Sequence, residues 1–263
     1  MPQLSLEIVD GVATVTITNP PLAVMDTNTL DELSRLLPRL READVRAVVF
    51  TGGVEGFFIR HYSVVELDRS AQGTAEARAP VGIHELLLEI ENLPKVVIAA
   101  LNGTAMGGGW EFAMACDIRV AKDGPYRFGL PEISVGILPG AGGTQRLTNL
   151  VGRNRAIEMM LRARTVAPQQ ALAYGMIEEL VPADTRETAL ERAGAIAAEI
   201  AARSPLAVAH IKRLAREAVS PISRDLLRLE SRLFAELMQS PKAKELLAQV
   251  AAIHVTGKVD GSN

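Results

Sequence analysis

The chain has 263 residues, of which 48% are hydrophobic, so it is long enough for one sizeable core or one core with an appended helical lobe. Its formal net charge is −3, with 28 basic side chains scattered among 31 acidic ones rather than gathered into a stripe. This distribution excludes sequence-independent binding to a phosphate backbone, and we expect no nucleic-acid partner.

The first half of the chain alternates strand and helix patterns. Residues 4–9 and 12–18 are β-rich runs separated by Asp10-Gly11, a strong hairpin signal. Leucines at helical spacing after Thr27 predict a helix, residues 46–51 predict a buried strand, and a helix over 81–93 precedes a strand from Val96. This order predicts βαβ units around a mostly parallel sheet. Ligands bind beyond the carboxyl ends of such strands, so we expect candidate loops after Phe50 and Leu101.

The composition changes after residue 182 to long segments rich in Ala, Leu, Glu and Arg. Residues 187–203, 206–218, 222–238 and 243–252 predict helices punctuated by proline. We therefore divide the chain into a catalytic core, residues 1–183, and a helical C-terminal lobe, residues 184–263. Residues 72–79 predict a mobile loop that could cover a ligand.

The most informative segment is a glycine-rich turn after the strand from Val96. Residues 102–111 read NGTAMGGGWE, and three consecutive glycines allow positive φ and close approach of a ligand. The alanines that follow favour a helix, whose N-terminal N–H groups suit an oxyanion. Glu111 lies in the first turn of that helix, and a second carboxylate, Glu132, follows in the sequence FGLPE at 128–132.

Four motifs occur in one order along the chain: residues 102–111, 115–121 (ACDIRVA), 128–132 and 138–147 (LPGAGGTQRL). Together they resemble the enoyl-CoA hydratase (crotonase) superfamily, and the resemblance extends more weakly over most of the chain. It implies an α/β fold, a crotonase-like (ββα)n spiral core with a helical C-terminal lobe. In that family the lobe oligomerises and helps close the site of a neighbour, which implies a homotrimer or hexamer.

The resemblance also implies a reaction, the addition of water across the 2,3 double bond of an enoyl-CoA thioester. It gives Glu111 the activation of water, Glu132 the delivery of a proton to C2, and the Gly108 N–H one bond to the thioester oxygen. The residues themselves suit this chemistry, because two adjacent carboxylates whose pKa values are pushed apart can act as base and acid. Coenzyme A belongs to the substrate, so we expect no cofactor, and the histidines lack metal-ligand spacing.

In the family, the second N–H donor to the thioester oxygen comes from the loop after the strand at residues 46–51, and here this loop departs from the family pattern. An Ala-Gly-x-Asp type turn is usual, whereas residues 56–67 read GFFIRHYSVVEL. Alignment puts His61 at the usual glycine and makes the Tyr62 N–H the donor, while a register one residue earlier would make His61 the donor. Arg60 could meet a phosphate or a carboxylate, and His61 or Tyr62 could contact a substrate oxygen or stack on adenine. A tolerated variant loop at the surface or at an oligomer interface is the alternative.

Further substrate-binding positions follow from the resemblance. They are Arg60, His61, Phe58, Trp110, Gly107, Pro131 and Gly140. Trp110 fills either the pocket wall, where it would limit acyl length, or the core beside it. The segment 139–146 resembles a phosphate cradle but lacks the Lys-Ser/Thr ending, and in the family it mainly shapes the pocket wall. The remaining histidines, His84, His210 and His254, are interpreted as structural.

Two other functional classes stay open. One is another acyl-CoA enzyme of the superfamily, such as an isomerase, lyase, thioester hydrolase or carbon–carbon hydrolase, and the other is a non-catalytic oligomeric scaffold that binds CoA. The single cysteine, Cys116, excludes an intrachain disulfide, and no apolar run approaches the ~20 residues that span a bilayer. The N-terminus also lacks a basic region followed by an apolar stretch. We therefore expect a cytoplasmic protein with no membrane partner.

Overall fold

A computed structural model describes residues 2–73, 82–218 and 222–255. The described strands are β1 (Leu4–Val9), β2 (Val12–Ile17), β3 (Ala47–Gly52), β4 (Gly56–Ile59), β5 (Val96–Leu101), β6 (Gly103–Met106), β7 (Ile118–Lys122), β8 (Phe128–Gly129), β9 (Thr165–Val166) and β10 (Glu179–Val181). The described α-helices are α1 (Thr27–Arg41), α2 (Val64–Ala71), α3 (Ile83–Glu91), α4 (Gly108–Ala115), α5 (Gly143–Val151), α6 (Arg153–Leu161), α7 (Pro168–Ala173), α8 (Ala189–Ala201), α9 (Pro205–Ala218), α10 (Arg224–Gln239) and α11 (Pro241–Val255).

The main sheet has six strands in the order β1-β2-β3-β5-β7-β10. Strands β1 and β2 form the predicted antiparallel hairpin, and its two turn residues have positive φ, 49° at Asp10 and 80° at Gly11. The other neighbouring pairs are parallel, which confirms the predicted mostly parallel sheet. Strands β3 and β5 are apolar and buried on both faces, as expected for a parallel sheet covered by helices.

A second sheet of four short strands, in the order β4-β6-β8-β9, was not predicted from the sequence. Strands β4 and β6 follow β3 and β5 almost directly, and each leads into a helix, which gives the ββα repeat that the resemblance implies. A Cβ on Gly103 would lie 2.1 Å from the Gly56 carbonyl carbon, so the two strands pair closely only because of this glycine.

The second sheet corrects the expected origin of the candidate loops. They do not start from β3 and β5, after Phe50 and Leu101, but follow β4 and β6, one short strand later in each case. Because β4, β6 and β8 are parallel, their carboxyl ends share one edge of the second sheet. The variant loop, the glycine-rich turn and the FGLPE segment therefore meet at this edge.

The predicted helical C-terminal lobe is confirmed, with helix boundaries within a few residues of those expected. Helix α8 packs on the main sheet through Ala193 and Ala197, whereas α10 and α11 contact α2 of the same chain. The lobe thus covers, in its own chain, the edge of the second sheet where the candidate loops meet, which we call the site edge. The predicted start of α3, at residue 81, and residues 74–79 of the expected mobile loop lie outside the described residues. Within the described ranges, no helix combines the length and apolar character needed to cross a membrane.

Candidate active site

Glu111 is held at the start of α4, directly after the turn at Gly107, where φ is 51°. Its side chain is buried, and its Oε1 accepts hydrogen bonds from the Ala141 N–H at 2.7 Å and the Gly143 N–H at 2.8 Å. The segment before α5, which resembled a phosphate cradle, therefore binds a carboxylate of the protein itself. Both bonds reach the same oxygen, so they fix the orientation of the Glu111 carboxyl group.

Glu132 begins a short 3-10 turn, Glu132–Val135, that follows β8. Both of its carboxyl oxygens are buried, and neither has a hydrogen-bond partner within the described part of the chain. A Cβ on Gly107 would lie 3.2 Å from Glu132 Oε1, so the glycine leaves room for the carboxyl group beside the turn. A buried carboxyl group with all its hydrogen-bonding capacity free is suited to a bound water or substrate.

The environments of the two glutamates differ. Burial raises the pKa of Glu111 to about 7, and the negative charge of Glu230 adds to the rise, whereas the N–H bonds from Ala141 and Gly143 oppose it. Burial raises the pKa of Glu132 well above its usual value, and the charge of Glu111 raises it further. The N–H groups of Ala141 and Gly143 favour the ionised form of Glu111, whereas neither carboxyl oxygen of Glu132 has a hydrogen-bond partner among the described residues, so Glu132 holds a proton more readily than Glu111. Such a difference suits a pair in which one carboxyl group acts as base and the other as acid.

Gly108 and Tyr62 bring two backbone N–H groups to the same edge of the second sheet. Met25 and Tyr62 form a parallel bridge in which the Met25 N–H donates to the His61 carbonyl at 2.9 Å and the Ser63 N–H donates to the Met25 carbonyl at 2.7 Å. The Tyr62 N–H therefore points away from Met25. A Cβ on Gly108 would lie 3.3 Å from this nitrogen, and the Gly108 N–H belongs to the unpaired first turn of α4.

The Tyr62 phenol is bonded within the protein. Its hydroxyl donates to Glu66 Oε2 at 2.6 Å and lies 3.4 Å from the Thr27 hydroxyl. Burial and the hydrogen bond to Glu66 raise the pKa of Tyr62, which keeps the phenol protonated. At this position the backbone, rather than the side chain, is available to a ligand.

His61 and Arg60 also contact protein groups. The His61 Nδ1 lies 2.7 Å from the Tyr62 carbonyl oxygen, and its ring stacks on His254 of α11 at a centroid distance of 5.2 Å. Burial lowers the pKa of His61 to about 4, so its ring is neutral near pH 7. The Arg60 guanidinium lies over the Phe57 ring, 5.4 Å from its centroid, and burial lowers its pKa.

Phe58 and Trp110, two of the predicted substrate contacts, are buried among core side chains, and their contact with substrate stays a prediction. The Phe58 side chain points from β4 into the hydrophobic core. Its ring centroid lies 6.1 Å from that of Phe112. Trp110 is also in the core, stacked on Phe128 at 5.3 Å, which agrees with the core alternative rather than with an exposed pocket wall.

Gly140 and Pro131 have structural roles that the sequence did not indicate. A Cβ on Gly140 would lie 2.7 Å from the Phe234 ring of α10, so lobe packing requires the glycine. Pro131 precedes the 3-10 turn, and its carbonyl accepts from the Ser134 hydroxyl at 2.7 Å. Contact of either residue with substrate stays a prediction.

The sequence alone did not single out Glu230, and it indicated a structural role for His84 without its partner, which is Glu230. Glu230 lies in α10 and is only 5% exposed, and its Oε1 accepts from the Gly142 N–H at 2.7 Å and lies 3.2 Å from His84 Nε2. A signal was present, since Glu230 shares helical spacing with Leu227 and Met238, which are also buried. A charged residue on the apolar face of an amphipathic helix indicates a specific partner.

Comparison with known proteins identifies the family. The family model described as Enoyl-CoA hydratase/isomerase matches residues 7–251. The chain belongs to this enoyl-CoA hydratase/isomerase family. Among family members, a Bacillus subtilis (strain 168) protein named "Probable enoyl-CoA hydratase" is 35% identical over 247 residues, which is 93% of this chain and 94% of the relative. The "Short-chain-enoyl-CoA hydratase" of Clostridium acetobutylicum (strain ATCC 824) is 35% identical, with 92% of each chain covered.

Solved structures of the family agree with the fold. The enoyl-CoA hydratase from Bacillus anthracis matches with a TM-score of 0.76 and 31% identity, over 98% of this chain and 94% of that one. The enoyl-CoA hydratase from Mycobacterium avium subsp. paratuberculosis K-10 matches with a TM-score of 0.82 and 25% identity. The crotonase-like α/β fold predicted from the motifs is thereby confirmed.

Proposed function

We propose that the protein is an enoyl-CoA hydratase, a hydro-lyase that adds water across the 2,3 double bond of an enoyl-CoA thioester. The observation that carries this proposal is the pair of buried carboxyl groups, those of Glu111 and Glu132, which differ in their hydrogen bonding. Membership of the family, with relatives named as hydratases, supports the same reaction.

Each group has one role in the proposed mechanism. The Glu111 carboxylate accepts a proton from water as the water oxygen bonds to C3. The electrons of the double bond move toward the thioester oxygen, and Glu132 delivers its proton to C2. The product is a 3-hydroxyacyl thioester, and the step leaves Glu111 protonated and Glu132 ionised. Transfer of the proton from Glu111 to Glu132, directly or through solvent, restores the starting state.

The thioester oxygen gains negative charge during this addition. Gly108 lies against the Tyr62 backbone nitrogen, and the N–H groups of both residues are suited to binding that oxygen. Donors fixed before the reaction stabilise such charge without reorganisation, and one donor typically contributes about 100- to 1,000-fold in rate. The bridge to Met25 favours the Tyr62 register over the alternative in which His61 supplies the donor.

The remaining parts of the proposal concern partners. The substrate is an acyl-CoA thioester, coenzyme A enters as part of it, and the reaction requires no further cofactor. We place the protein in the cytoplasm as a homotrimer or hexamer. Exposed apolar side chains on α9, with 64% of Leu206, 69% of Ile211 and 65% of Leu214 accessible, support self-association through the lobe.

Turnover of defined substrates tests the proposal. Purified protein is incubated with crotonyl-CoA and with longer or aromatic 2-enoyl-CoA esters, and loss of enoyl-thioester absorbance is followed. The proposal predicts a product heavier by one water. Migration of the double bond without gain of water would indicate an isomerase, and CoA binding without turnover of any ester would indicate a scaffold.

A further inference from the structure

The C-terminal lobe supplies a buried carboxylate that the proposed reaction does not use. Glu230 in α10 accepts hydrogen bonds from the Gly142 N–H and from the hydroxyl of Thr144. Both partners belong to the segment that leads into α5. This same segment also carries the N–H donors of Glu111.

The three successive N–H groups at 141, 142 and 143 alternate between the two carboxylates. Those of Ala141 and Gly143 donate to Glu111 Oε1, and that of Gly142 donates to Glu230 Oε1. Gly142 has φ of 86°, a conformation that glycine adopts readily and that places its N–H opposite those of its neighbours. A displacement of this segment would therefore move both donors of Glu111 at once.

A side chain of the core region, His84, contacts Glu230 in turn. His84 of α3 lies with Nε2 3.2 Å from Glu230 Oε1, and its Nδ1 lies 3.2 Å from the Ser231 hydroxyl. From the other side, the Arg146 guanidinium donates to the Ala141 carbonyl at 2.8 Å and forms an ion pair with Glu91 at 3.0 Å. The segment is thus fixed by side chains from three helices.

We propose that Glu230 is a positioning residue for Glu111, which it orients by holding the opposite side of the 141–143 segment, with His84 fixing Glu230 in turn. This inference rests on the proposed function, in which Glu111 is the base. It assigns the lobe a direct part in arranging the reacting groups of its own chain.

Electrostatics supports the same role. The charged or titratable groups that face Glu230 are His84 from α3, Glu111 from α4, Glu132 from the 3-10 turn and Arg146 from α5. The negative charge of Glu230 raises the pKa of Glu111, after burial, and so makes Glu111 a stronger base. Replacing Glu230 by a neutral residue should lower the pKa of Glu111.

The test compares Glu230→Gln with the wild-type protein, and uses Glu236→Gln, an exposed glutamate of the same helix, as the matched control. The first readout is the pH titration of the Glu111 carboxyl carbon by NMR, assigned with Glu111→Gln. The second is kcat and KM for crotonyl-CoA as a function of pH. In Glu230→Gln we expect the Glu111 titration and the acid limb of kcat to move to lower pH. We also expect kcat at the optimum to fall by about tenfold while KM stays within about twofold.

The two readouts separate the inference from the proposed function. An unchanged Glu111 titration and unchanged kcat in folded Glu230→Gln would overturn the positioning role, even if the wild type is an active hydratase. A shifted titration in a protein that hydrates no enoyl-CoA would support the positioning role and reject the proposed function.

A second pair of variants covers the case in which Glu230→Gln does not fold. His84→Ala should lower kcat in the same direction, because Glu230 loses its contact from α3, and His84→Gln, which retains an N–H donor, should recover most of the loss. Equal kcat in His84→Ala and wild type would overturn the proposed support from His84 and, in the absence of folded Glu230→Gln, the positioning role with it.

Discussion

Glu111 and Glu132 differ in their hydrogen-bond partners, and this difference predicts the pH dependence of the reaction. In the proposed mechanism, addition of water requires Glu111 to be ionised and Glu132 to be protonated. Since the pKa of Glu111 is raised to about 7 and that of Glu132 is raised well above its usual value, kcat/KM for crotonyl-CoA should fall as the pH drops below about 7. It should fall again in alkaline solution as Glu132 loses its proton. A flat profile between pH 5 and 7, measured with stable enzyme, would contradict these roles.

Glu132 should also reduce the stability of the fold. Its folded pKa is higher than its unfolded value, so the folded state is penalised as the pH rises above the unfolded pKa, and the penalty grows until the folded pKa is reached. Glu132→Gln should therefore raise the melting temperature at pH 8 and have little effect near pH 4. Calorimetry at both pH values checks this. A lower melting temperature at pH 8 would show that the ionised carboxyl group has stabilising partners.

At the residue scale, the sequence indicates candidates where the signal is local. Glu111 stands out by its place after three glycines and Glu132 by its motif, and their catalytic roles stay predictions. Glu230 was not found, because its bond to Gly142 spans 88 residues and depends on how α10 packs. The burial of Phe58 also escaped prediction, since a four-residue strand gives too short a pattern to assign its inward face.

At the scale of secondary-structure elements, the approach of α4 to the start of α5 should be intolerant of a methyl group at Gly143. A Cβ there would lie 2.6 Å from Glu111 Oε1 and 2.9 Å from the Pro139 Cβ. Gly143→Ala should reduce kcat for hydration by at least about tenfold, because the carboxyl group must move away from its donors. The control is Gly194→Ala in α8, where a Cβ would contact nothing within 4 Å. Equal turnover in the two variants would contradict the assigned geometry.

The elements of the main sheet were predictable because their patterns are long. Strand β5 is a continuous apolar run of six residues, β3 begins with four apolar residues, and α1 has a clear helical spacing of leucines over its 15 residues. The second sheet was not predictable, because its strands have two to four residues and include glycines, which are rare in strands and weaken the sequence pattern. The position of both candidate oxyanion loops, one short strand later than expected, follows from this second sheet.

For the whole molecule, the exposed apolar side chains of α9 predict self-association. Light scattering after size-exclusion chromatography should give the mass of a trimer or hexamer. Leu214→Asp should shift the mass towards the monomer, because a carboxylate would be buried without a partner in an apolar contact. Arg213→Ala removes only an exposed ion pair with Glu217 and should leave the mass unchanged. A monomer in the wild type would contradict the proposed assembly.

The sequence predicted the helices of the lobe but not their packing. Amphipathic faces indicate burial without naming the partner, and the family resemblance suggested the site of a neighbouring subunit. In the structure, α10 and α11 pack on the site edge of the same chain, through contacts such as Phe234 on Gly140 and Glu230 on Gly142. A contribution of the lobe to the site of a neighbour stays a prediction. The division at residue 183 stays a prediction, since α8 packs on the main sheet of the core.

The most direct test of the central claim is the kcat of Glu111→Gln and Glu132→Gln for hydration of crotonyl-CoA, with the affinity for the CoA ester measured in parallel. Glutamine keeps the size of each side chain but can neither take the proton of water nor donate one to C2 as a carboxylic acid. We predict that each variant loses at least ~100-fold in kcat while binding of the ester changes little. Turnover close to that of the wild type in either variant would contradict this prediction.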